Sequence, residues 1–265
     1  LVSNNPRLTF AEFVPEYLKI VKARLSPSTY EYYKRALNNY VIPLIGHLKL
    51  TAIRPVHIQN FVNAMSNKPT AVHKDKQGNT KEQKKISAST VRRYLTIVQS
   101  VLNQAVKLDL IQSSPAKSEK LTIPKMQTPK IDIFTKQETA EMLTYLEKEP
   151  LQYQVLIQLA IMTGARRGEL VALKFSDFDY TNNKVTIERS AYKLKGKPIQ
   201  IKPPKDYETR IISINQYCLD LIEMLKAEKH KEALRLGDQW KGDEWLFTQW
   251  NGEIMNPMTP TKWFS

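Results

Sequence analysis

The chain has 265 residues and a formal charge of +14 at neutral pH, with 40 Lys and Arg against 26 Asp and Glu. Hydrophobic residues make up 42% and charged residues 25%, which excludes a disordered chain and suits one large domain or two ordinary ones. A single cysteine, Cys218, excludes an internal disulfide framework and a multi-cysteine zinc site, and no apolar run approaches the ~20 residues of a membrane span.

Glycine is scarce, 8 residues, about 3% against roughly 7% in average proteins, which favours helices. The opening LVSNNPRLTF has no charged stretch followed by an apolar core, so it is not a signal peptide, and a cytoplasmic setting is expected. The charge is uneven. Residues 1–125 carry 20 basic and 7 acidic side chains, whereas residues 126–265 carry 20 and 19. A strongly basic first half points to a polyanionic partner. Solubility is the plainer alternative, but it does not require such asymmetry.

Phe10, Phe13, Val14, Tyr17, Leu18, Val21 and Leu25 recur at helical spacing, so residues 9–25 read as a helix with Thr9 as N-cap. Pro15 is tolerated only near a helix start, which predicts that the regular helix begins later than Thr9. Ser26-Pro27-Ser28-Thr29 introduces a second helix over 28–42, with Tyr30, Tyr33, Leu37, Tyr40 and Val41 on its core face. Gly46 breaks the chain, and Pro55 opens a short helix over 55–66. Residues 67–86 are polar and lysine-rich and read as an exposed loop or loose hairpin around Gln77-Gly78-Asn79. Ser87 or Ser89 caps a helix to about residue 108, with Val91, Leu95, Val98, Leu102, Ala105 and Val106 as its buried stripe. Residues 1–112 therefore read as a basic four-helix domain. The stretch 113–131, with three prolines and little periodicity, reads as a linker.

In the second half, Thr135 with Glu138 three residues on is a capping box for a helix over 135–147. A buried helix over 151–163 ends at Gly164, and a short helix starts near Ala165. Residues 184–191, 198–201 and 210–214 alternate as strands and predict one three-stranded antiparallel sheet. A helix over 216–235 follows, then Trp245-Leu246-Phe247 and a turn at Asn251-Gly252. The whole is mainly α with a small antiparallel β-sheet.

The segment richest in chemistry is Thr163-Gly164-Ala165-Arg166-Arg167-Gly168-Glu169-Leu170. Backbone N–H groups at a helix start attract phosphate, and a guanidinium adds a bidentate fork. Glu169, three residues after Arg166, is placed to orient it. An Arg and a Glu at this spacing also fit an ordinary surface pair.

This T-G-x-R-x-x-E-L pattern, after a buried helix and before a β-hairpin, resembles the first arginine box of the tyrosine recombinases, the phage-integrase family. Upstream, SPSTYEYYKRALNNYVIPLIG is similar to that family's core-binding pattern. Downstream, Pro203-Pro204-Lys205-Asp206-Tyr207-Glu208-Thr209-Arg210-Ile211-Ile212 resembles its lysine hairpin, with Lys205 at the lysine, Thr209 at the serine and Arg210 at the arginine. Asp206 stands where a threonine is usual, and Thr209 and Arg210 are more tightly spaced, so Lys202, Lys195 and Lys197 stay open as alternatives.

The resemblance implies a helical SAM-like core-binding domain (1–112), a linker (113–131) and an incomplete α+β catalytic domain (132–265). It implies phosphoryl transfer without metal, nucleotide or other cofactor, through a 3′-phosphotyrosyl DNA link. Arg166 would stabilise charge on the phosphate, Lys205 would protonate the leaving 5′-oxygen, and Glu169 would brace the arginine. Double-stranded attachment sites would be gripped in a clamp, with Lys34, Arg35, Lys84, Lys85, Arg92, Arg93 and Arg210 as phosphate contacts. The same resemblance implies a tetramer on DNA for the full-length protein, a directionality factor as a further partner, no membrane, and a bacterial host cytoplasm.

The family's second box, H-x-x-R, has no counterpart. His47 is followed by LKL, His57 by IQN, His73 by KDK and His230 by KEA. None of the 12 tyrosines reads as the nucleophile: Tyr30, Tyr33 and Tyr40 fit a core face, and Tyr207 reads as an exposed turn residue. The expectation is a fragment of a longer recombinase, cut at both ends, that binds DNA and does not cleave it alone. Two other readings are a naturally truncated relative that only occupies sites, and a basic helical transcription regulator with helix 89–108 as its recognition helix.

Overall fold

The computed structural model describes residues 7–70, 83–126, 132–205 and 208–265. The turn expected around Gln77-Gly78-Asn79 lies outside them, as do Asp206 and Tyr207. The chain divides into two compact units, Leu1–Ile131 and Asp132–Ser265.

The first unit is built on α1 (Phe10–Lys22), α2 (Pro27–Ala36), α3 (Ile42–Ile45), α4 (Pro55–Asn67) and α5 (Ala88–Lys107). Helix α1 starts directly after Thr9 and runs through Pro15. A reciprocal capping box explains the early start: Thr9 N–H donates to Glu12 Oε2 at 2.8 Å and Glu12 N–H donates to Thr9 Oγ1 at 3.3 Å. The Thr9 N–H foremost, and after it the Thr9 hydroxyl, which donates to Glu12 Oε2 at 2.8 Å, hold the Glu12 carboxyl below its ordinary range. Pro15 forfeits only the bond to the Ala11 carbonyl, while six apolar side chains from Phe10 to Val21 are buried on one face. The helix expected over 28–42 is not continuous. It widens into a π-type turn at Leu37–Val41 before α3. Pro43 offers no N–H and crowds the carbonyl four residues back, so the ladder opens just ahead of it.

Helix α5 is the central element, burying Val91, Tyr94, Leu95, Ile97, Val98, Val101, Leu102 and Ala105. Residues 113–126, expected as linker, pack onto this unit as a strap. Ala116 is buried, and Leu121 and Ile123 lie against the core. Thr122 N–H donates to Gln59 Oε1 at 2.8 Å, Gln99 Nε2 to Ala116 O at 2.8 Å, and Arg92 Nε to Pro124 O at 2.9 Å.

The second unit contains α6 (Lys136–Leu146), α7 (Leu151–Thr163), α8 (Arg167–Val171), β1 (Phe178–Asp179), β2 (Lys184–Ile187), β3 (Ser190–Lys193), β4 (Ile199–Lys202), β5 (Arg210–Ser213), α9 (Gln216–Leu236) and α10 (Thr259–Phe264). The expected single three-stranded sheet is replaced by two antiparallel ones: β1-β2-β5, and the hairpin β3-β4. The run 184–191 breaks at Glu188-Arg189, where Arg189 turns its guanidinium onto both oxygens of Asp177, at 2.8 and 2.7 Å. Strand β2 then pairs with β5, placing Ile187 opposite Arg210, and β3 pairs with β4. Val155, Leu159, Val171, Val185, Ile187, Ile222 and Phe247 are among the side chains of one continuous core. Cys218 is buried in it, and burial pushes its thiol up to about 11. Helix α10 docks through Trp263, whose ring stacks on Tyr153 with centroids 4.2 Å apart.

Candidate functional site

Helix α7 ends at Gly164, which adopts φ +58°, a left-handed conformation that a side chain would strain. Thr163 closes the turn: its Oγ1 donates to Leu159 O at 2.6 Å and accepts Ala165 N–H at 3.1 Å. The chain then enters α8 with Arg166 as its N-cap in extended backbone. One turn on, Glu169 is only 1% exposed. Its Oε2 accepts the Arg166 N–H at 2.9 Å, and its Oε1 accepts Arg166 Nη1 at 3.1 Å. The Nη2 of Arg210, at the start of β5, also donates to Glu169 Oε2. The carboxylate is thus shared by two guanidiniums that each remain partly exposed, 49% and 37%. A buried carboxylate persists only when paired and hydrogen-bonded in this way. The burial of Glu169 decides against an ordinary surface pair.

Gly168 makes the close approach possible. A Cβ there would lie 2.6 Å from the Ala191 carbonyl oxygen and 2.7 Å from Ser190 Oγ, so only glycine lets α8 lie this close to β3. Arg167 turns away and donates from Nη1 to Thr261 Oγ1 at 2.6 Å, tying α10 to the same turn.

Of the candidate lysines, Lys205 stands exposed in the connection after β4. Lys202, on β4, lies with Nζ 5.2 Å from the ring centre of Tyr192. Lys195 and Lys197 flank Gly196 in the turn between β3 and β4.

In the helical unit, Lys34 and Arg35 are exposed in the last turn of α2, and Arg93 is exposed on α5. Lys84 and Lys85 lie on a segment paired with residues 68–70: Thr70 N–H donates to Lys84 O at 2.7 Å and Ile86 N–H to Lys68 O at 3.0 Å. Two of them also bond within the unit: Arg92 Nε donates to the Pro124 carbonyl of the strap at 2.9 Å, and Lys85 Nζ donates to Asn67 Oδ1 at 3.0 Å. Beside the lysines is an aromatic stack. The rings of Tyr40 and Tyr94 are 4.8 Å apart and those of Tyr32 and Tyr94 6.5 Å. Lys68 lies over Tyr40 and Arg35 over Tyr32. Burial, then the facing Tyr40 and Tyr32, push the Tyr94 phenol up to about 12, so it stays neutral at physiological pH. A cleft of about 590 Å³ opens here, lined by Tyr40, Lys68, Thr70, Lys84, Lys85 and Tyr94 among others.

Among the described residues, no group of three or more His, Cys, Asp or Glu side chains is placed to hold a metal ion. No described helix is long and apolar enough to cross a membrane.

The profile of the phage integrase N-terminal SAM-like domain matches residues 9–66, and that of the phage integrase family matches residues 132–265. The chain belongs to the phage integrase family, the tyrosine recombinases. A tyrosine recombinase XerC-like protein of Caldanaerobacter subterraneus is 23% identical over 241 residues, covering 85% of this chain and 56% of the relative. The chain spans about half the length of the first curated relatives it matches. Among solved structures, the Tn1549 transposon integrase in complex with a circular intermediate DNA superposes with a TM-score of 0.68 at 17% identity, over 94% of this chain and 74% of that one. A lambda integrase tetramer bound to a Holliday junction superposes at 0.65 and 16% identity, over 99% and 66%. These likenesses establish the fold.

The turn that carries Arg166 and the start of β5 thus meet at one carboxylate. Sequence reasoning placed Glu169 beside Arg166 and missed its second partner. The available signal was a charged residue directly before the apolar run Leu170-Val171-Ala172-Leu173, where a carboxylate needs more than one cation. The aromatic stack was also missed. Tyr40 was read as core, and Tyr32 and Tyr94, on different helices, share no local pattern.

Proposed function

We propose that this chain is the DNA-gripping and phosphate-activating part of a site-specific recombinase, acting on double-stranded attachment sites of a mobile element in a bacterial cytoplasm. The observation that carries this reading is the buried Glu169 holding Arg166 at the mouth of α8 beside Arg210. A guanidinium fixed in this way loses little conformational freedom on meeting a phosphate and is already oriented for the charge that grows there during transfer. Arg166 stabilises the scissile phosphate's non-bridging oxygens. Lys205, exposed on the connection into β5, protonates the departing 5′-oxygen. The tyrosine oxygen that attacks phosphorus forms the 3′-phosphotyrosyl bond as the 5′-oxygen leaves, and it is supplied from outside this sequence.

The helical unit holds the duplex. Lys34, Arg35, Lys84, Lys85 and Arg93 supply non-specific phosphate contacts, and the +13 balance of residues 1–125 supplies the long-range attraction. A structurally similar integrase in complex with circular intermediate DNA and a lambda integrase tetramer bound to a Holliday junction support a DNA partner and a tetramer for the full-length protein. A directionality factor completes the expected set of partners.

The test has two arms. Binding of this chain to duplex DNA should weaken steeply with salt, with a slope of log K against log salt of about −0.9 per phosphate neutralised. On a nicked attachment-site duplex the chain should form no covalent adduct, because no H-x-x-R is present to complete the centre. Absent binding at low salt, or a salt-independent affinity, overturns the gripping role. A trapped tyrosyl–DNA adduct overturns the division of labour.

A further inference from the structure

We propose that the tyrosine cleft of the helical unit is a binding site for one unpaired nucleotide, with the base against Tyr40 and the phosphate among the lysines at the rim. A nucleotide within a DNA strand is the source that the recombinase reading supplies. A free nucleoside monophosphate carries the same chemistry, and the cleft itself does not depend on that reading.

Two ordered walls define the cleft. One is a short ladder: Pro69 pairs with Lys85, Thr70 N–H donates to Lys84 O at 2.7 Å, Ile86 N–H to Lys68 O at 3.0 Å, and Gln83 Nε2 to Thr70 O at 2.7 Å. The other is the start of α5 together with Tyr40. Ser87 caps that helix, its Oγ accepting the Thr90 N–H at 3.3 Å. Tyr94 follows one turn later, buried, and its ring stacks on Tyr40 with 4.8 Å between centroids and 22° between planes. The stack fixes the Tyr40 ring, so a ligand meets a surface that is already ordered.

At about 590 Å³ the cleft has the size of a small-molecule site. No Asp or Glu is among the described residues that line it, whereas Lys68, Lys84 and Lys85 are. The Tyr94 phenol stays neutral and adds no opposing charge. A positive rim beside aromatic rings selects a ligand that is both anionic and flat. Lys68 Nζ lies 5.7 Å from the Tyr40 ring centre, close to the ~6 Å limit of a cation–π contact. A nucleobase can take its place on the ring and leave the ammonium to the phosphate. Inside a duplex both faces of a base are covered by its neighbours, and only an unpaired base offers a face to a tyrosine. A duplex phosphate alone uses the lysines and leaves the rings idle.

The experiment uses the whole chain and two duplexes of one sequence, each with one extra nucleotide in the middle of one strand. In the first the extra nucleotide is thymidine. In the second it is an abasic analogue, so charge and backbone match and only the base differs. Affinity is read at one salt concentration for the wild type, Tyr40→Phe and Tyr40→Leu, beside an NMR titration with thymidine 5′-monophosphate. The wild type should prefer the thymidine duplex about tenfold, Tyr40→Phe should keep that preference, and Tyr40→Leu should reduce it to about twofold or less. With 5-iodouracil as the unpaired base, photocrosslinking should mark the peptide that contains Tyr40 or Tyr94.

Equal affinity for the two duplexes, together with no saturable shift from thymidine monophosphate, overturns the proposal. So does a preference that survives Tyr40→Leu, or a crosslink confined to other peptides. Saturable binding of the monophosphate without a preference between the duplexes upholds the cleft and assigns it to free nucleotides. Should Tyr40→Leu not fold, the position of the crosslink decides. If the chain binds neither duplex, the recombinase reading falls, while the monophosphate titration still decides the cleft.

Discussion

The two units carry the same number of basic residues, 20 in residues 1–125 and 20 in residues 126–265, and use them in opposite ways. In the helical unit most of the candidate contacts are exposed, and among the described residues none of them is ion-paired to a carboxylate. In the second unit the count is nearly balanced by acids, and two of its arginines are disposed around one buried carboxylate. Net charge reports the first arrangement and is blind to the second. A surplus of lysine describes affinity for a polyanion in bulk, whereas a positioned guanidinium is paid for by a buried acid that cancels it in the sum.

The sharpest way to break this comparison is to remove the acid. Glu169→Ala leaves two guanidiniums without their shared partner and opens a hole beside Leu170. It should cost the second unit about 3 kcal/mol. All four tryptophans, Trp240, Trp245, Trp250 and Trp263, lie in that unit, so the urea midpoint followed by tryptophan fluorescence reads it alone. A midpoint within error of wild type would mean that Glu169 is not buried as described.

A smaller effect of opposite sign is expected at Lys229. Its Nζ donates to Thr248 Oγ1, and burial pushes its pKa down to about 8, partly opposed by Glu228. The unfolded side chain titrates near 10.4, so between about pH 8 and 10.4 the unfolded state binds more protons, and stability rises with pH through that window. Below pH 8 the full penalty is present. Lys229→Met should therefore stabilise the second unit at pH 7 by about 2 kcal/mol, after allowance for the lost bond to Thr248. The gain should fade as pH approaches 10. Urea midpoints at pH 7 and 10 check this, and an equal gain at both would remove titration from the explanation.

How much of this was legible differs between the units for the same physical reason. Periodicity located α1, α4, α5 and α9 to within a few residues, because one apolar face per helix is a local signal, while α7 was legible as an apolar run ended by Gly164. The arginine box was legible because Gly164, Arg166 and Glu169 lie within six residues. What failed was long-range. The split of 184–191 depends on Asp177 capturing Arg189. The packing of 113–126 depends on Gln59, Arg92 and Gln99, which lie on distant helices. The Arg210–Glu169 pairing spans 41 residues and is set by the β2–β5 register. Charged side chains of this kind have no periodicity, and their partners appear only once the backbone has placed them.

The finest test separates two residues that sequence alone treated alike. Lys84 and Arg92 both read as phosphate contacts. Lys84 is exposed at the edge of the tyrosine cleft, whereas Arg92 spends its Nε on the Pro124 carbonyl and so fastens the strap. Lys84→Ala should lower the salt slope of duplex binding by about 0.9 and leave stability within about 0.5 kcal/mol of wild type. Arg92→Ala should instead cost the helical unit about 1 kcal/mol, the value of one hydrogen bond, with faster amide exchange along residues 113–126 and little change in slope. If the two substitutions behave alike, strap and surface are not distinguished by that single bond. If they part as expected, the helical unit too contains a basic residue whose work is internal, and the contrast with the second unit becomes one of proportion rather than of kind.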